Sequence, residues 1–150
     1  MTEPVPDNSQ LAAVQIEPDE RQIVIAGPGS GKTEVVSALI AHLTEEEGVD
    51  PIGGLLVISF SNAAVHAADG RLRAHGAAPV SVQTIDSLAA EILWELATED
   101  HADLDFEGRV EEATRLLAAD GWDRVGDLQH LIVDEVQDVV GVRADFLQSI

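Results

Sequence analysis

Four short runs rich in β-branched and other apolar side chains constrain the fold of this 150-residue chain most strongly. They occupy residues 22–26, 55–60, 80–84 and 131–134. A strand that stays apolar along its length is typical of a sheet that is covered on both faces. Helical patterns lie between the runs. This order predicts an α/β fold with a parallel sheet and helices on both faces.

The spacing of apolar residues predicts six helices. Three acids followed by Gly48 predict a solvated turn over residues 45–48, because acids are disfavoured at the C-terminus of a helix. Residues 95–127 carry 11 acids against three arginines and predict a short acidic helical insertion at the surface. The length suits one domain, spanning residues 1–150. The helices are expected over about residues 10–15, 31–43, 62–75, 87–96, 106–119 and 142–150.

Composition excludes several classes of protein. A hydrophobic content of 45% is too high for a disordered acidic chain. The absence of cysteine excludes disulfides and thiolate metal sites, and the five histidines show no spacing typical of metal ligands. We find neither a signal peptide nor a membrane-spanning run and expect a cytoplasmic protein. The net charge of -20 by itself disfavours a nucleic-acid partner.

A glycine-rich segment joins the first apolar run to the helix that follows it. It contains the only lysine of the chain, and it ends in Lys-Thr. Backbone N–H groups of such a loop surround phosphate oxygens, and the lysine reaches the β- and γ-phosphates. A chance glycine-rich turn is the alternative. The candidate phosphate-binding residues are Ala26, Gly27, Pro28, Gly29, Ser30, Gly31, Lys32 and Thr33.

Two carboxylates end the last apolar run. Asp134 and the Thr33 hydroxyl are candidate Mg²⁺ ligands, and Glu135 can orient and deprotonate an attacking water. Gln137 adds a neutral group that could sense the γ-phosphate. An acidic surface turn is the alternative. Together with the phosphate loop, these residues predict hydrolysis of a nucleoside triphosphate, with Lys32 as a further catalytic residue and no metal beyond Mg²⁺.

With these motifs in place, the sequence resembles the first RecA-like domain of the UvrD/Rep-like superfamily 1 DNA helicases. Residues 10–14 are similar to the Q motif, whose glutamine, here Gln10, reads the adenine of ATP. Residues 26–33 are similar to motif I and residues 134–138 to motif II. Residues 59–64 and 84–88 are similar to motifs Ia and Ib.

The resemblance implies an ATP-dependent motor that moves on single-stranded DNA, 3′ to 5′, in repair, recombination or phage defence. It also implies a second RecA-like domain beyond this chain, so that the chain alone should turn over little ATP. Neutral side chains and backbone N–H groups at helix N-termini can bind phosphates. The alternative role of such side chains is to cap the helix. The implied DNA contacts are Ser59, Phe60, Ser61, Asn62, Thr84 and Ser87, with Phe60 either stacking on a base or lying in the core.

Several positions depart from the family pattern. Ala63 stands where motif Ia usually has a basic residue, and Glu34 stands where an arginine usually follows motif I. Ile85 and Asp86 replace the usual Phe-His of motif Ib. These changes predict weak DNA affinity. The stretch from Ser59 to Ser87 is nonetheless locally neutral, which favours reading the acidity as a property of the source organism's proteins.

Two other functions stay open at this point. One is a nucleotide-binding regulatory module of a larger repair or defence protein, without unwinding activity. The other is a phosphate-loop kinase, in which Asp134 and Glu135 would serve a small substrate. Gln137 and the paired Ia and Ib motifs disfavour the kinase.

Overall fold

Three parallel strands form the centre of the computed structural model. The structure describes residues 8–15, 21–25, 31–74, 76–98 and 101–150. The strands are β1 (Leu55–Ile58), β2 (Ser81–Gln83) and β3 (His130–Val133), and their order is β2-β1-β3. Both pairings are parallel, so the predicted α/β fold with a parallel sheet is confirmed.

Seven α-helices surround this sheet in the described ranges. The Ser61 hydroxyl accepts a hydrogen bond from the Ala64 N–H and caps the helix that follows motif Ia. The carboxylate of Asp105 caps the fifth helix in the same way. None of these helices is long and apolar enough to cross a membrane. They are α1 (Asn8–Val14), α2 (Lys32–Ala41), α3 (Asn62–Ala74), α4 (Ile85–Leu96), α5 (Phe106–Asp120), α6 (Asp123–Asp127) and α7 (Val142–Gln148).

The hydrophobic core has two parts, one on each face of the sheet. Successive side chains of a strand point to opposite faces. Leu56 and Ile58 of β1 therefore pack with buried residues of α4, α5 and α7. Leu55 and Val57 pack with residues of α2 and α3 on the other face. All four are buried, which explains why this run is continuously apolar.

The strand predicted over residues 22–26 does not form in the part that the structure describes. Residues 21–25 have no regular secondary structure and are exposed, with Ile23 at 76% and Ile25 at 94%. A strand needs a neighbour that satisfies its backbone groups and layers that cover its faces. Among the described residues, nothing pairs with the outer edge of β3. Apolar composition alone is therefore insufficient for a strand here, and Ala26 lies outside the described residues.

The turn predicted over residues 45–48 begins later than expected. Helix α2 continues as a π-helical turn over His42–Glu46, so two of the three acids belong to a helical turn. Leu43 is almost fully buried, and its carbonyl accepts a hydrogen bond from the Val49 N–H at 2.9 Å. Packing of Leu43 and Val49 thus outweighs the unfavourable acids. The chain reverses only at Gly48, whose φ is +71°.

Helix α5 lies where the acidic insertion was predicted, and one of its faces belongs to the core. Val110 and Ala113 are completely buried, and the helix packs on α4 and α7. Its charged residues lie on the outer side. There Arg115 donates hydrogen bonds to Glu112 and lowers the pKa of that carboxyl. The acidic stretch therefore supports the fold as well as covering it.

Candidate functional site

The carboxyl ends of the three strands lie at one edge of the sheet. The Ser59 N–H donates to the Gln83 carbonyl at 2.9 Å, and the Asp134 N–H donates to the Ile58 carbonyl at 2.8 Å. These two hydrogen bonds continue the β1–β2 and β1–β3 pairings by one residue beyond the ends of the strands. Motifs Ia, Ib and II therefore begin side by side, at the edge where ligands bind in open parallel sheets.

Lys32 and Glu135 meet across this edge. Lys32 is the first residue of α2, and its Nζ lies 3.8 Å from the Glu135 Oε1. Gly31, directly before the helix, has a φ of 81°, which a side chain would disfavour. Both charged groups are partly exposed, so a ligand can reach them. The contact places the end of motif I beside the carboxylates of motif II, as the sequence predicts for a nucleotide site.

The backbone of Glu135 is in the left-handed region, with φ 54° and ψ 47°. A non-glycine residue rarely adopts this conformation, which costs of order 1–3 kcal/mol. A short 3₁₀ turn, Val136–Asp138, follows it, and the Asp138 N–H donates to the Glu135 carbonyl at 2.9 Å. The Gln137 amide also donates to the Glu135 carboxylate. The turn thereby aims Glu135 toward Lys32, while Gln137 itself is exposed.

The residues that could hold a metal offer only oxygen donors. Thr33 contributes a hydroxyl and Asp134 a carboxylate, and both residues are partly exposed. In the described ranges, no three His, Asp or Glu side chains gather into a cluster that would hold a metal ion without help. Mg²⁺ is usually bound by one or two protein oxygens together with substrate phosphates and waters. This donor set therefore fits Mg²⁺ bound with a nucleotide.

Some predicted site residues cannot be placed. Five positions of the phosphate loop, Ala26, Gly27, Pro28, Gly29 and Ser30, lie outside the described residues. The backbone of Gln10 belongs to α1, but its side chain is also outside the described part of the structure. Their roles in binding phosphate and adenine remain predictions from the sequence.

A second feature, the strand-end groove, lies beside the ends of β1 and β2. It is an open pocket of about 460 Å³. Ser59 does not line it: the residue is fully buried, and its Oγ has no hydrogen-bond partner in the described part of the chain. The structure thus brings five of the six predicted DNA contacts together. These five are Phe60, Ser61, Asn62, Thr84 and Ser87.

Part of the groove wall is formed by residues that cap the N-terminus of α4. The Thr84 Oγ1 accepts a hydrogen bond from the Ser87 N–H at 3.1 Å and donates to the Ser87 Oγ at 2.9 Å. Thr84 is therefore the N-cap of α4, and the helix begins at Ile85, two residues before the start expected from the sequence. An extended residue before the helix is the one that can turn its side chain back to the free N–H groups. Ser87 and Asn62 stay exposed in the groove.

Helix α5 supplies groove residues that the sequence motifs do not include. Phe106 and Arg109 line the groove beside motif Ib. Asp86 lines it too, and its carboxylate accepts a hydrogen bond from Arg143 of α7 at 2.9 Å. The sequence carries only a weak signal for Arg109, namely a basic residue retained within a strongly acidic stretch.

Comparison with known proteins identifies the family of most of the chain. The family model of the UvrD/REP helicase N-terminal domain matches residues 7–123. The matched stretch includes the phosphate-loop segment and motifs Ia and Ib, whereas motif II follows it. The contact between Lys32 and Glu135 involves a residue outside the matched stretch, so it is evidence independent of the family match.

Three curated relatives are similar over shorter stretches. A probable DNA helicase II homolog of Mycoplasma capricolum is 43% identical over 58 residues, which are 39% of this chain and 8% of that protein. The putative ATP-dependent DNA helicase YjcD of Bacillus subtilis is 32% identical over 89 residues, which are 53% of this chain and 12% of that protein.

The ATP-dependent DNA helicase PcrA of Leuconostoc citreum is 36% identical over 91 residues, which are 58% of this chain and 12% of that protein. The matches thus span about a tenth of the length of these relatives. The family model, in contrast, covers well over half of this chain. The chain therefore belongs to the UvrD/REP helicase N-terminal domain family.

Proposed function

We propose that this chain is the ATP-binding motor domain of a DNA helicase or translocase. In this proposal it binds ATP with Mg²⁺, acts in the cytoplasm, and moves on single-stranded DNA with 3′-to-5′ polarity. DNA repair, recombination or phage defence are the processes that such a motor would serve. The observation that carries the proposal is the 3.8 Å approach of Lys32 to Glu135, which joins two motifs far apart in sequence.

The residues at this edge divide the chemistry between them. Lys32 would bind the β- and γ-phosphates, assisted by the positive end of the α2 dipole. Thr33 and Asp134 would hold Mg²⁺, which supplies charge neutralisation at the phosphates. Glu135 would orient the attacking water and take its proton. Phosphate oxygens would replace the Glu135 carboxylate as partner of Lys32, leaving Glu135 available for that role.

Motion along DNA would require a second RecA-like domain. The groups described above all belong to this domain and would contact the nucleotide from one side, so the domain alone would stabilise little of the transition-state charge. We therefore expect ATP binding with little turnover from the 150-residue chain. The strand-end groove would hold the sugar-phosphate backbone through neutral groups at the starts of α3 and α4.

Replacing Lys32 tests the nucleotide site. Lys32→Ala should lower the affinity for ATP·Mg²⁺ at least about tenfold, because a charge-assisted hydrogen bond to phosphate contributes roughly 1.5–3 kcal/mol. Isothermal titration calorimetry on the folded chain would measure this loss. Arg71→Ala is the matched control, because Arg71 is exposed on α3 and plays no part in the proposed site.

Equal ATP affinities of Lys32→Ala and the unaltered chain would refute the assignment of the nucleotide site. ATP binding that depends on Lys32, combined with no binding of single-stranded DNA, would instead favour the regulatory module without unwinding activity.

A further inference from the structure

We propose that Arg109 and Phe106 of α5 contact single-stranded DNA in the strand-end groove. Arg109 would supply the positive charge that motif Ia lacks at Ala63, and Phe106 would provide a second stacking ring in addition to Phe60. This inference rests on the proposed function, because it assigns the DNA contacts of the same groove.

Among the residues that the structure describes, no acidic side chain neutralises Arg109, the cation that lines the groove. Asp86 also lines the groove, but Arg143 neutralises its carboxylate at 2.9 Å. Asp105, one helical turn before Arg109, uses its carboxylate to accept from the Gly108 N–H at 2.8 Å. The Arg109 guanidinium forms no hydrogen bond or ion pair with any residue that the structure describes. In a chain with a net charge of -20, an arginine without an acidic partner at a pocket indicates an anionic ligand.

The aromatic residues indicate what kind of anion binds. The chain has three phenylalanines, and Phe146 is completely buried. The other two both line this groove, with Phe60 at 50% and Phe106 at 69% exposed. Exposed rings beside a positive charge are typical of surfaces on which unpaired bases stack. A duplex keeps its base faces covered, so the groove suits a single strand.

The remaining walls complete a phosphate-binding surface. Helices α3 and α4 both begin at the groove, and the exposed polar residues Asn62 and Ser87 lie there. Neutral groups of this kind fix the position of a backbone but contribute little long-range attraction. Arg109 would therefore carry most of the salt-dependent part of the affinity.

Fluorescence anisotropy with a labelled oligothymidylate of about 16 nucleotides tests the inference. Arg109→Gln should weaken binding about fivefold to tenfold. It should also reduce the slope of log affinity against log salt by about 0.7, the contribution of one neutralised phosphate on a single strand. Arg115→Gln is the matched control, because Arg115 lies on the same helix and pairs with Glu112 away from the groove. The control should bind within about twofold of the unaltered chain.

Phe106→Ala tests stacking separately from charge. It should weaken binding of the oligothymidylate roughly fivefold or more, since stacking on one base contributes about 1–3 kcal/mol. On an abasic strand of the same length, Phe106→Ala should bind like the unaltered chain, whereas Arg109→Gln should still bind more weakly. Phe106 is exposed at the start of α5, so the substitution removes little buried surface. Thermal unfolding checks that each variant is folded.

The outcomes separate this inference from the proposed function. Oligothymidylate binding that survives both substitutions unchanged would overturn the roles of Arg109 and Phe106 and leave the motor assignment standing. Absence of oligothymidylate binding by the unaltered chain would overturn the inference as well, and Lys32-dependent ATP binding would then still support the nucleotide site. Equal ATP affinities of Lys32→Ala and the unaltered chain would count against the proposed nucleotide site, whatever the two groove substitutions do to oligothymidylate binding.

Discussion

Strands β1 and β3 lie side by side, yet they lead into sites that are held in place by different forces. Every residue of β1 is buried, and the chain that follows it enters the strand-end groove. Every residue of β3 is only partly buried, and the chain that follows it carries Asp134 and Glu135. The groove therefore rests on a tightly packed core, whereas the proposed nucleotide site rests on charges near the surface.

The difference suggests how each site would respond to a ligand. At the groove, Ile85 and Leu88 in the first turn of α4 are buried, and Thr84 caps that turn. The start of α4 is therefore fixed by packing. At the nucleotide site, Lys32 is held near Glu135 by an ion pair that a phosphate can replace. We expect the groove to be preorganised and the nucleotide site to rearrange its contacts on binding.

The largest expected effect tests the packing beneath the groove. Leu88→Ala should lower the free energy of unfolding by about 2–5 kcal/mol, because Leu88 is completely buried and its removal leaves a cavity. Urea unfolding followed by circular dichroism measures the change. Trp94→Ala on the same helix is the matched control, because Trp94 is 88% exposed and should change stability little. Similar losses in both variants would contradict the contrast between buried and exposed faces of α4.

A smaller effect tests the charge balance at the nucleotide site. Glu135→Gln should raise the affinity for ATP, because the Glu135 carboxylate no longer competes with phosphate for Lys32. The rise should be roughly threefold, since partly exposed ion pairs contribute only about 0.2–1 kcal/mol. Calorimetric titration with ATP·Mg²⁺ measures the change in affinity. Asp138→Asn removes the same charge from the same turn and serves as the control. If Asp138→Asn raised the affinity equally, net charge rather than the Lys32 contact would be the cause.

The smallest expected effect concerns the start of β3. Partial burial lowers the pKa of His130 below its ordinary value of 6.5, so the unfolded chain binds this proton more readily than the folded chain. Its contribution to the free energy of unfolding therefore falls as the pH decreases through about 6.5 and is constant well above that pH.

His130→Gln should remove this part of the pH dependence. Unfolding in urea at pH of about 5.5 and about 7.5 compares the variant with the unaltered chain, and His66→Gln, exposed on α3, is the control. A stability difference between His130→Gln and the unaltered chain that does not change with pH would contradict the inference that partial burial lowers the pKa of His130.

Charge counting along the chain is a poor guide to the local electrostatics of the groove. The net charge of -20 by itself disfavours nucleic acid, and the motifs alone predict only neutral contacts. The fold brings Arg109 from the acidic stretch to the groove and pairs Asp86 with Arg143. Local electrostatics depend on which side chains come within a few ångströms of one another, and a count along the sequence does not contain that information.

The sequence by itself determined that the strands of the sheet are parallel, the bounds of α3 and α5 to within one or two residues, and the family. These features follow from local patterns: apolar runs, helical periodicity and capping residues act over a few neighbouring positions. The sequence also predicts that Lys32 and Glu135 belong to one site, because a phosphate loop and the carboxylates of motif II act on the same nucleotide.

Tertiary structure alone decided the rest. Residues 23–25 are as apolar as β1 but lie outside the sheet in the described structure, since a strand depends on neighbours that its own sequence does not specify. The π-helical turn at His42–Glu46 likewise follows from the burial of Leu43. Arg109 lines the groove because α5 packs on α4. No local sequence pattern predicts this contact between two separate helices.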